Sequence, residues 1–557
     1  LADAIVSEDY IDLLVENDTL PLFEPAISTF ISALNSVVHL PISDFDKCSL
    51  GEYPYYIFPT MYIPESMISI EKSGIQQIQR NPNFNLYGQG VLAGIVDTGI
   101  DYQHEAFRGR DGTSKIYSIW DQTINEGGPP PEGFTFGTEF TKEQIDEALN
   151  NDNPLSIVPS VDEVGHGTMV AGIIAGTENV SANFSGIVPD SELVVVKLKP
   201  AKQITKQILA IPADKLCYQE SDIMLALTYL LTVSQRLNRP LVVCLALGTN
   251  QGGHDGHGVL SRFLSYINRS NGVAVAMSAG NEGNSKRHYL GITLASTEAA
   301  EFELNVGANE NEFAMEIWQQ VPFRLSIEFR SPTGEYVAPI YPAFNECLEL
   351  NFIFEPTVIW INNTLLDSES GDQLILLRFF TPQEGIWRFG VRNIENVSSE
   401  FNAWLPAGNL ISNDTYFLNS SPDITITAPG DAPDPLTVTA YDPSTEGIAI
   451  FSSRGYTRLG GIKPEIAAPG VNLICPTINN SYGTVSGTGA AAAHTAGIIA
   501  MVLEWAVVED NFPIINGFII KEMLIRGAKR SPTLTYPNNI WGYGKIDILG
   551  LFKMLII

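Results

Sequence analysis

The sequence predicts an α/β protein: a parallel sheet with helices on both faces, preceded by a small N-terminal α+β unit and interrupted by an inserted all-β sandwich. Three observations predict it. Short apolar runs of strand length, among them VLAGIV, ELVVVKL, LVVCLALG and VAVAM, alternate with helical stretches such as SDIMLALTYLLTVSQRL, as expected for strands buried on both faces. From about 297 to 410 the helical pattern stops, and EFELNVGA, EFAMEIW, FRLSIEFR, LELNFIF, TVIWIN, LILLRFF and IWRFGVR follow as short alternating segments separated by Gly, Pro and Asn, the pattern of a jelly-roll-like sandwich. The α/β pattern then resumes with LTVTAYD and a long helix of small residues from about 489 to 504.

In chain order, residues 1–55 form the first unit. YIDLLVEN alternates as a strand, LFEPAISTFISALN carries apolar residues at helical spacing, and SVVHLPI and PYYIF read as strands. The two prolines of PYYIFPTMYIP suit an extended linker. The α/β domain occupies 56–296 and 411–557, with the sandwich at 297–410 between its halves. A last amphipathic helix is expected over INGFIIKEMLIRGA.

The chain has 557 residues, room for about three domains. A net charge of −31 repels DNA, RNA and anionic lipid, which argues against a nucleic-acid partner and favours a solvated surface or a cationic partner. No apolar run is expected to reach the ~20 residues of a membrane span, so an integral membrane protein is not expected. The opening LADAIVSEDYIDLLVEND lacks a basic stretch followed by an apolar core, so no secretion signal is expected. The five cysteines (48, 217, 244, 347 and 475) are scattered, with no CxxC pair for zinc or redox chemistry. Cys244 and Cys475 lie in apolar runs and read as buried free thiols, which fits a reducing cytosol. No cofactor or metal site is expected.

Four motifs carry chemistry. Asp97 begins DTGID at the end of the strand VLAGIV. Sites in open parallel sheets form at carboxyl ends of strands, and a carboxylate there can fix the tautomer of a histidine. Alone, it is equally a capping Asp at a turn. His166 lies in GHGTMVAG, where glycines allow close packing and a following helix would hold the ring. By itself it could be a structural histidine; beside Asp97 that reading is poor. Asn281 lies in SAGNEG, ending the strand VAVAM. Its amide could donate to a developing oxyanion, or simply serve a turn. The fourth motif is SGTGAAAAHTAG from Ser486 to Gly497.

In order and context these motifs, with SSRG at 452–455 and PEIAAPG before the last, resemble the subtilisin-like serine proteases, the subtilase family, over about 60–295 and 425–550. The family's last signature reads Gly-Thr-Ser-Met-Ala-Ala-Pro-His, with the serine as nucleophile at the start of a helix. Here Gly487, Thr488, Ala491, Ala492 and His494 match, while Gly489 stands in the place of the serine, Ala490 of Met and Ala493 of Pro. The resemblance implies that Asp97, His166 and Gly489 form a degenerate triad, that Asn281 is an oxyanion donor, and that Ala246, Leu247 and Gly248 form the strand that pairs with a bound peptide. It also implies that the first unit is a prodomain, an intramolecular chaperone whose tail lies in the cleft; residues 50–60 are expected there. The β insert, the acidic chain and the lack of a signal make the sequence similar to the Csp subtilases of clostridial spores. That group implies a role in spore germination, with other germination proteases or regulators as partners and a small-molecule germinant as a further candidate.

Glycine has no side chain with which to attack a carbonyl, and loss of the serine in subtilisin costs about 10⁶ in turnover. Ser486 is three residues upstream and Thr488 belongs to the ordinary motif, so neither is expected to substitute. Three functions stay open: a pseudoprotease that acts by binding, an active germination endopeptidase carrying an engineered Ser-to-Gly change, and a purely structural spore protein.

Overall fold

A computed structural model describes residues 2–23, 25–65, 79, 85–296, 298–344 and 346–555. An eight-stranded sheet forms its centre. Across it lie Ile466–Pro469, Leu436–Tyr441, Val273–Ser278, Leu241–Leu245, Leu92–Asp97, Glu192–Lys197, Ile116–Asp121 and Thr138–Thr141. All neighbours are parallel except the last pair. The central strands are buried along their whole length because helices cover both faces. His166–Ala175 and Thr488–Leu503 lie in the core on one face, and Glu220–Leu237 and Val259–Asn268 in that on the other.

Thr488–Leu503 is buried at every residue. With the turn that follows, Thr488–Val508 is 21 residues long and apolar enough to cross a membrane, although no run of that length was expected. Here it is a core helix, with 83% of its apolar window buried in the protein.

The inserted sandwich has two antiparallel sheets. One runs His288–Ile292, Glu400–Trp404, Glu312–Gln319, Gln373–Phe380, Val358–Thr364 and Leu348–Asn351. The other runs Tyr336–Ile340, Leu325–Arg330, Gly385–Asn393, Ala300–Val306 and Tyr416–Phe417. Their inner faces enclose an aromatic core that includes Phe302, Phe313, Phe379, Trp387 and Phe389. The strands His288–Ile292 and Tyr416–Phe417 lie outside the 297–410 span and still pair within the sandwich, because each fills a sheet edge next to an internal strand.

The N-terminal unit is a three-stranded antiparallel sheet of Tyr10–Glu16, Asn35–Pro41 and Ile27–Phe30, with a short helix Ala2–Val6. The helix expected over 22–35 is instead a hairpin arm: Ile27–Phe30 pairs with Ser36–His39. Ser32 Oγ accepts from the amides of Leu34 and Asn35, which closes the turn and outweighs the apolar spacing. PYYIF is likewise not a strand. Tyr55–Ile57 forms a 3₁₀ turn that buries two consecutive tyrosines: Tyr55 donates to Glu316 Oε1 at 2.6 Å, and Tyr56 accepts from the Gly253 amide at 3.1 Å. Alternating strand geometry could not aim both inward.

A buried ionic cluster docks this unit on the α/β body. Asp12 contacts His39 Nδ1 at 2.6 Å, Lys202 Nζ at 2.7 Å and Gln219 Nε2 at 2.9 Å. Cys48 and Cys347 are joined by a disulfide between this unit and the sandwich. Folding brings together two residues separated by 299 positions, a pairing that spacing could not reveal. Cys217, Cys244 and Cys475 are free and buried.

Candidate active site

Asp97 ends the strand Leu92–Asp97, and His166 is the first residue of the helix His166–Ala175. The loops carrying them fold tightly because small residues permit it. Gly165 has φ of 86°, a left-handed conformation costly for other residues. A Cβ on Gly167 would lie 2.1 Å from the Gly99 carbonyl oxygen. His166 Nδ1 meets both carboxylate oxygens of Asp97, at 2.7 and 2.8 Å. Burial works against a charged ring, but the Asp97 carboxylate, with Asp162 and Glu65 beyond it, holds the His166 pKa above its ordinary value. His166 Nε2 is buried with no hydrogen-bond partner.

Asp162 ties these loops together and was not singled out from sequence. Its Oδ1 accepts from Thr98 Oγ1 and the Gly165 amide, each at 2.7 Å. Its Oδ2 accepts from the amide and hydroxyl of Thr168 at 2.9 and 2.7 Å. Its position four residues before His166 carries no motif signal; only the closed loop shows its role.

Asn281 and the start of the helix Thr488–Leu503 meet. Asn281 Oδ1 accepts from the Thr488 amide at 3.0 Å and from its hydroxyl at 3.1 Å. This commits the oxygen to the helix start and leaves the NH₂ as the end available to an anion. Thr488 Oγ1 also accepts from the Gly280 amide at 3.0 Å, and Ser486 Oγ accepts from the Asn472 amide at 3.0 Å. Both hydroxyls are therefore engaged in holding backbone.

The cleft is filled by the chain itself. Met61–Pro64 forms a strand between Tyr218–Gln219 and Leu247–Gly248, antiparallel to both. Pro64 sits opposite Leu247 and Ile63 opposite Gly248, and the Glu65 amide donates to the Ala246 carbonyl at 2.7 Å. The expected peptide-pairing residues Ala246, Leu247 and Gly248 thus pair with 61–65, slightly further along the chain than the expected 50–60. The shift follows from the 3₁₀ turn at Tyr55–Ile57, which takes up chain before the strand begins.

Gly489 is the second residue of its helix, and it faces this strand. A Cβ built on it would lie 1.4 Å from the Glu65 carbonyl oxygen, 2.4 Å from the Glu65 carbonyl carbon and 3.1 Å from Ala246 Cβ. The Glu65 carbonyl therefore occupies the volume in which any side chain at 489 would begin.

The Glu65 side chain, 3% exposed, enters a pocket. Oε1 accepts from Thr427 Oγ1 at 3.0 Å, whereas Oε2 has no hydrogen-bond partner. Gly248 forms one wall, since a Cβ there would lie 2.4 Å from Oε1. Burial pushes the Glu65 pKa up to about 7, with nearby Glu282 adding to the rise; the Ser278 and Thr427 hydroxyls and His166 pull the other way without cancelling it. Beside the strand lies a cavity of about 780 Å³, lined by Glu65, Asn281, Glu282 and Arg287 among others. Neither Glu65 nor Thr427 stood out in the sequence, because no motif marks the end of a strand that inserts from elsewhere.

The model of the subtilase family matches residues 88–312 and 406–544. Among solved structures, the chain is similar to the CspB protease of Clostridium perfringens, with 30% identity and a TM-score of 0.77 over 86% of this chain and 96% of that one. Among curated proteins it is similar to the minor extracellular protease Vpr of Bacillus subtilis, 22% identical over 84% of this chain and 52% of that protein. It is also similar to the C5a peptidase of Streptococcus pyogenes, 24% identical over 74% of this chain and 35% of that protein. The chain thus spans about half or less of the length of these curated relatives.

Proposed function

The chain belongs to the subtilase family, and from that premise we propose that it is a pseudoprotease: a catalytically inactive member that works by binding, as a regulatory component of bacterial spore germination. The observation that carries this reading is the Glu65 carbonyl seated in the space of a side chain at 489. An acyl-transfer enzyme needs a nucleophile at that point, next to a histidine that takes its proton. Here the histidine and its orienting carboxylate are retained, but the third position is backbone. Asp97 and His166 then serve as a buried, hydrogen-bonded pair within the cleft.

The closed cleft also directs the function elsewhere. With 61–65 paired to Leu247–Gly248, the groove is not free for another extended peptide. Signalling falls to other surfaces, with the sandwich and the acidic exterior as candidates. Similarity to CspB over most of both chains supports a place among the spore subtilases, and with it a location in the spore and germination proteases as partners.

The test is direct. Purified protein is incubated with the precursor of a cortex-degrading hydrolase, and captured germination proteases are identified from spore extracts. The expected result is no cleavage and specific capture. Cleavage by the protein as it stands would refute the reading; capture of nothing would favour a purely structural role.

A further inference from the structure

Arg378 is a buried cation without an anion. It stands in the strand Gln373–Phe380, fully buried where the sandwich, the N-terminal unit and the α/β body meet. Nη1 donates to the Ile208 carbonyl at 2.8 Å and Nη2 to Asn362 Oδ1 at 2.9 Å, both neutral acceptors. Nε is buried without a partner. Among the described residues no carboxylate forms an ion pair with it; Asp46, the acid that acts on it, is exposed and accepts from the Cys48 amide. Burial lowers the Arg378 pKa to about 9, which leaves the guanidinium charged at neutral pH. One further group lies within reach: Nη2 is 3.9 Å from Cys347 Sγ, half of the Cys48–Cys347 bridge. In the disulfide that sulfur is a weak acceptor; as a thiolate it would be the counter-ion that Arg378 lacks. Lys47, beside Cys48, adds a second positive charge near Arg378, tempered by Glu312 and Glu349. Both cysteines are half-buried, so neither is sealed from solvent.

We propose that the Cys48–Cys347 bridge is a thiol–disulfide exchange site, with Arg378 as a positioning residue that holds the Cys347 thiolate and so makes the bridge readily reduced. The co-reactant is a thiol in its thiolate form. It attacks Cys48 Sγ: a bond forms between the incoming sulfur and Cys48, and the Sγ–Sγ bond breaks. The electron pair of that bond leaves on Cys347 as a thiolate facing Arg378. A second thiolate attacks the incoming sulfur of the mixed disulfide. The two thiols depart joined as a disulfide, and Cys48 is released as a thiolate that takes a proton from water. The protein gains two electrons and one proton, and two thiolates are oxidised to one disulfide. Attack falls on Cys48 because the sulfur of lower pKa is the better leaving group, and the guanidinium sits on the Cys347 side. Among the described residues the bridge is the one covalent cross-link between the N-terminal unit and the sandwich. Its state decides whether noncovalent contacts alone hold the two together.

Two measurements on the full-length chain test this. In Cys48→Ser, with Arg378 in place, alkylation of Cys347 by iodoacetamide is followed against pH by peptide mass spectrometry. The half-maximal rate is expected below about pH 7.5, against about 8.5 for a free thiol. In the second, the parent and Arg378→Met are equilibrated at pH 7 with reduced and oxidised glutathione, and the fraction bridged is trapped with acid. Opening the bridge in Arg378→Met should need a buffer at least about 10-fold more reducing, equivalent to a potential about 30 mV lower. A Cys347 that titrates at about pH 7.5 or above would overturn the proposal, whatever Arg378→Met does. That measurement leaves Arg378 untouched, so it decides even where the Met variant does not fold. A folded Arg378→Met whose bridge opens as readily as the parent's would overturn the role of Arg378. A parent that forms no Cys48–Cys347 bridge at any glutathione ratio would overturn the site itself.

Discussion

Replacing Gly489 with alanine should loosen the seated strand, although helix propensity alone points the other way. The residue is the second of a 16-residue helix, where alanine is favoured over glycine by up to about 1 kcal/mol. The new Cβ, however, would lie 1.4 Å from the Glu65 oxygen. A carbon and a carbonyl oxygen approach no closer than about 3.3 Å without repulsion. The strand must therefore retreat by roughly 2 Å, given that separation. The bond from the Glu65 amide to Ala246, now 2.7 Å, would break, and the Glu65 side chain would withdraw from Thr427. Overpacking of this kind costs about 1–3 kcal/mol, equivalent to roughly 5- to 150-fold less protection of residues 61–65. Hydrogen-exchange mass spectrometry of Gly489→Ala and Gly489→Ser, beside the parent, measures it. Both variants should open the strand, serine no less than alanine. Unchanged or greater protection in Gly489→Ala would mean that helix propensity decides the outcome and that the contact at Glu65 is easily relieved, which would refute the reasoning.

Three further outcomes are expected. Asp97→Asn should lower the pKa of His166, seen by NMR titration of its ring. Because the parent's value is raised, the pair's contribution is fully present below pH 6.5 and fades as pH rises through the folded value, so the parent's stability advantage over the variant should shrink above pH 6.5. Lys202→Met leaves Asp12 buried with only His39 and Gln219 as partners; loss of one partner of a buried pair costs about 3–5 kcal/mol, and limited proteolysis should cut within the N-terminal strands before the body unfolds. If a protease nicks the chain after Glu65, the N-terminal piece should remain with the body on a non-reducing gel and separate only after reduction, since Cys48 and Cys347 join them. Separation without reductant would rule out that bridge.

The parts of the site legible in the sequence were those whose neighbours along the chain define them. Asp97 closes an apolar strand, His166 opens a glycine-flanked helix, Asn281 follows the end of another strand, and Gly489 lies at the start of a helix of small residues; strand periodicity places Asp97 and Asn281 at the carboxyl ends of their strands, and the motif order groups them with the other two. The N-terminal hairpin was misread because Ile27, Phe30, Ile31 and Leu34 satisfy helical spacing, while the pairing that overrides it depends on Ser36–His39 as a partner.

By itself the sequence determined the α/β framework, the inserted sandwich, the four motif positions and the glycine where the family signature carries serine. Only the tertiary structure decided what that glycine does. Glu65 is 424 positions from Gly489 and 362 from Thr427 along the chain, and no local pattern records that its carbonyl fills one and its carboxyl meets the other. The same holds for Asp12 with Lys202 and for Cys48 with Cys347. Periodicity and motifs report the surroundings a residue makes with its own segment; the contacts that close this cleft arise when separate segments compete for one buried space, and steric fit and desolvation settle that competition only once the chain has folded.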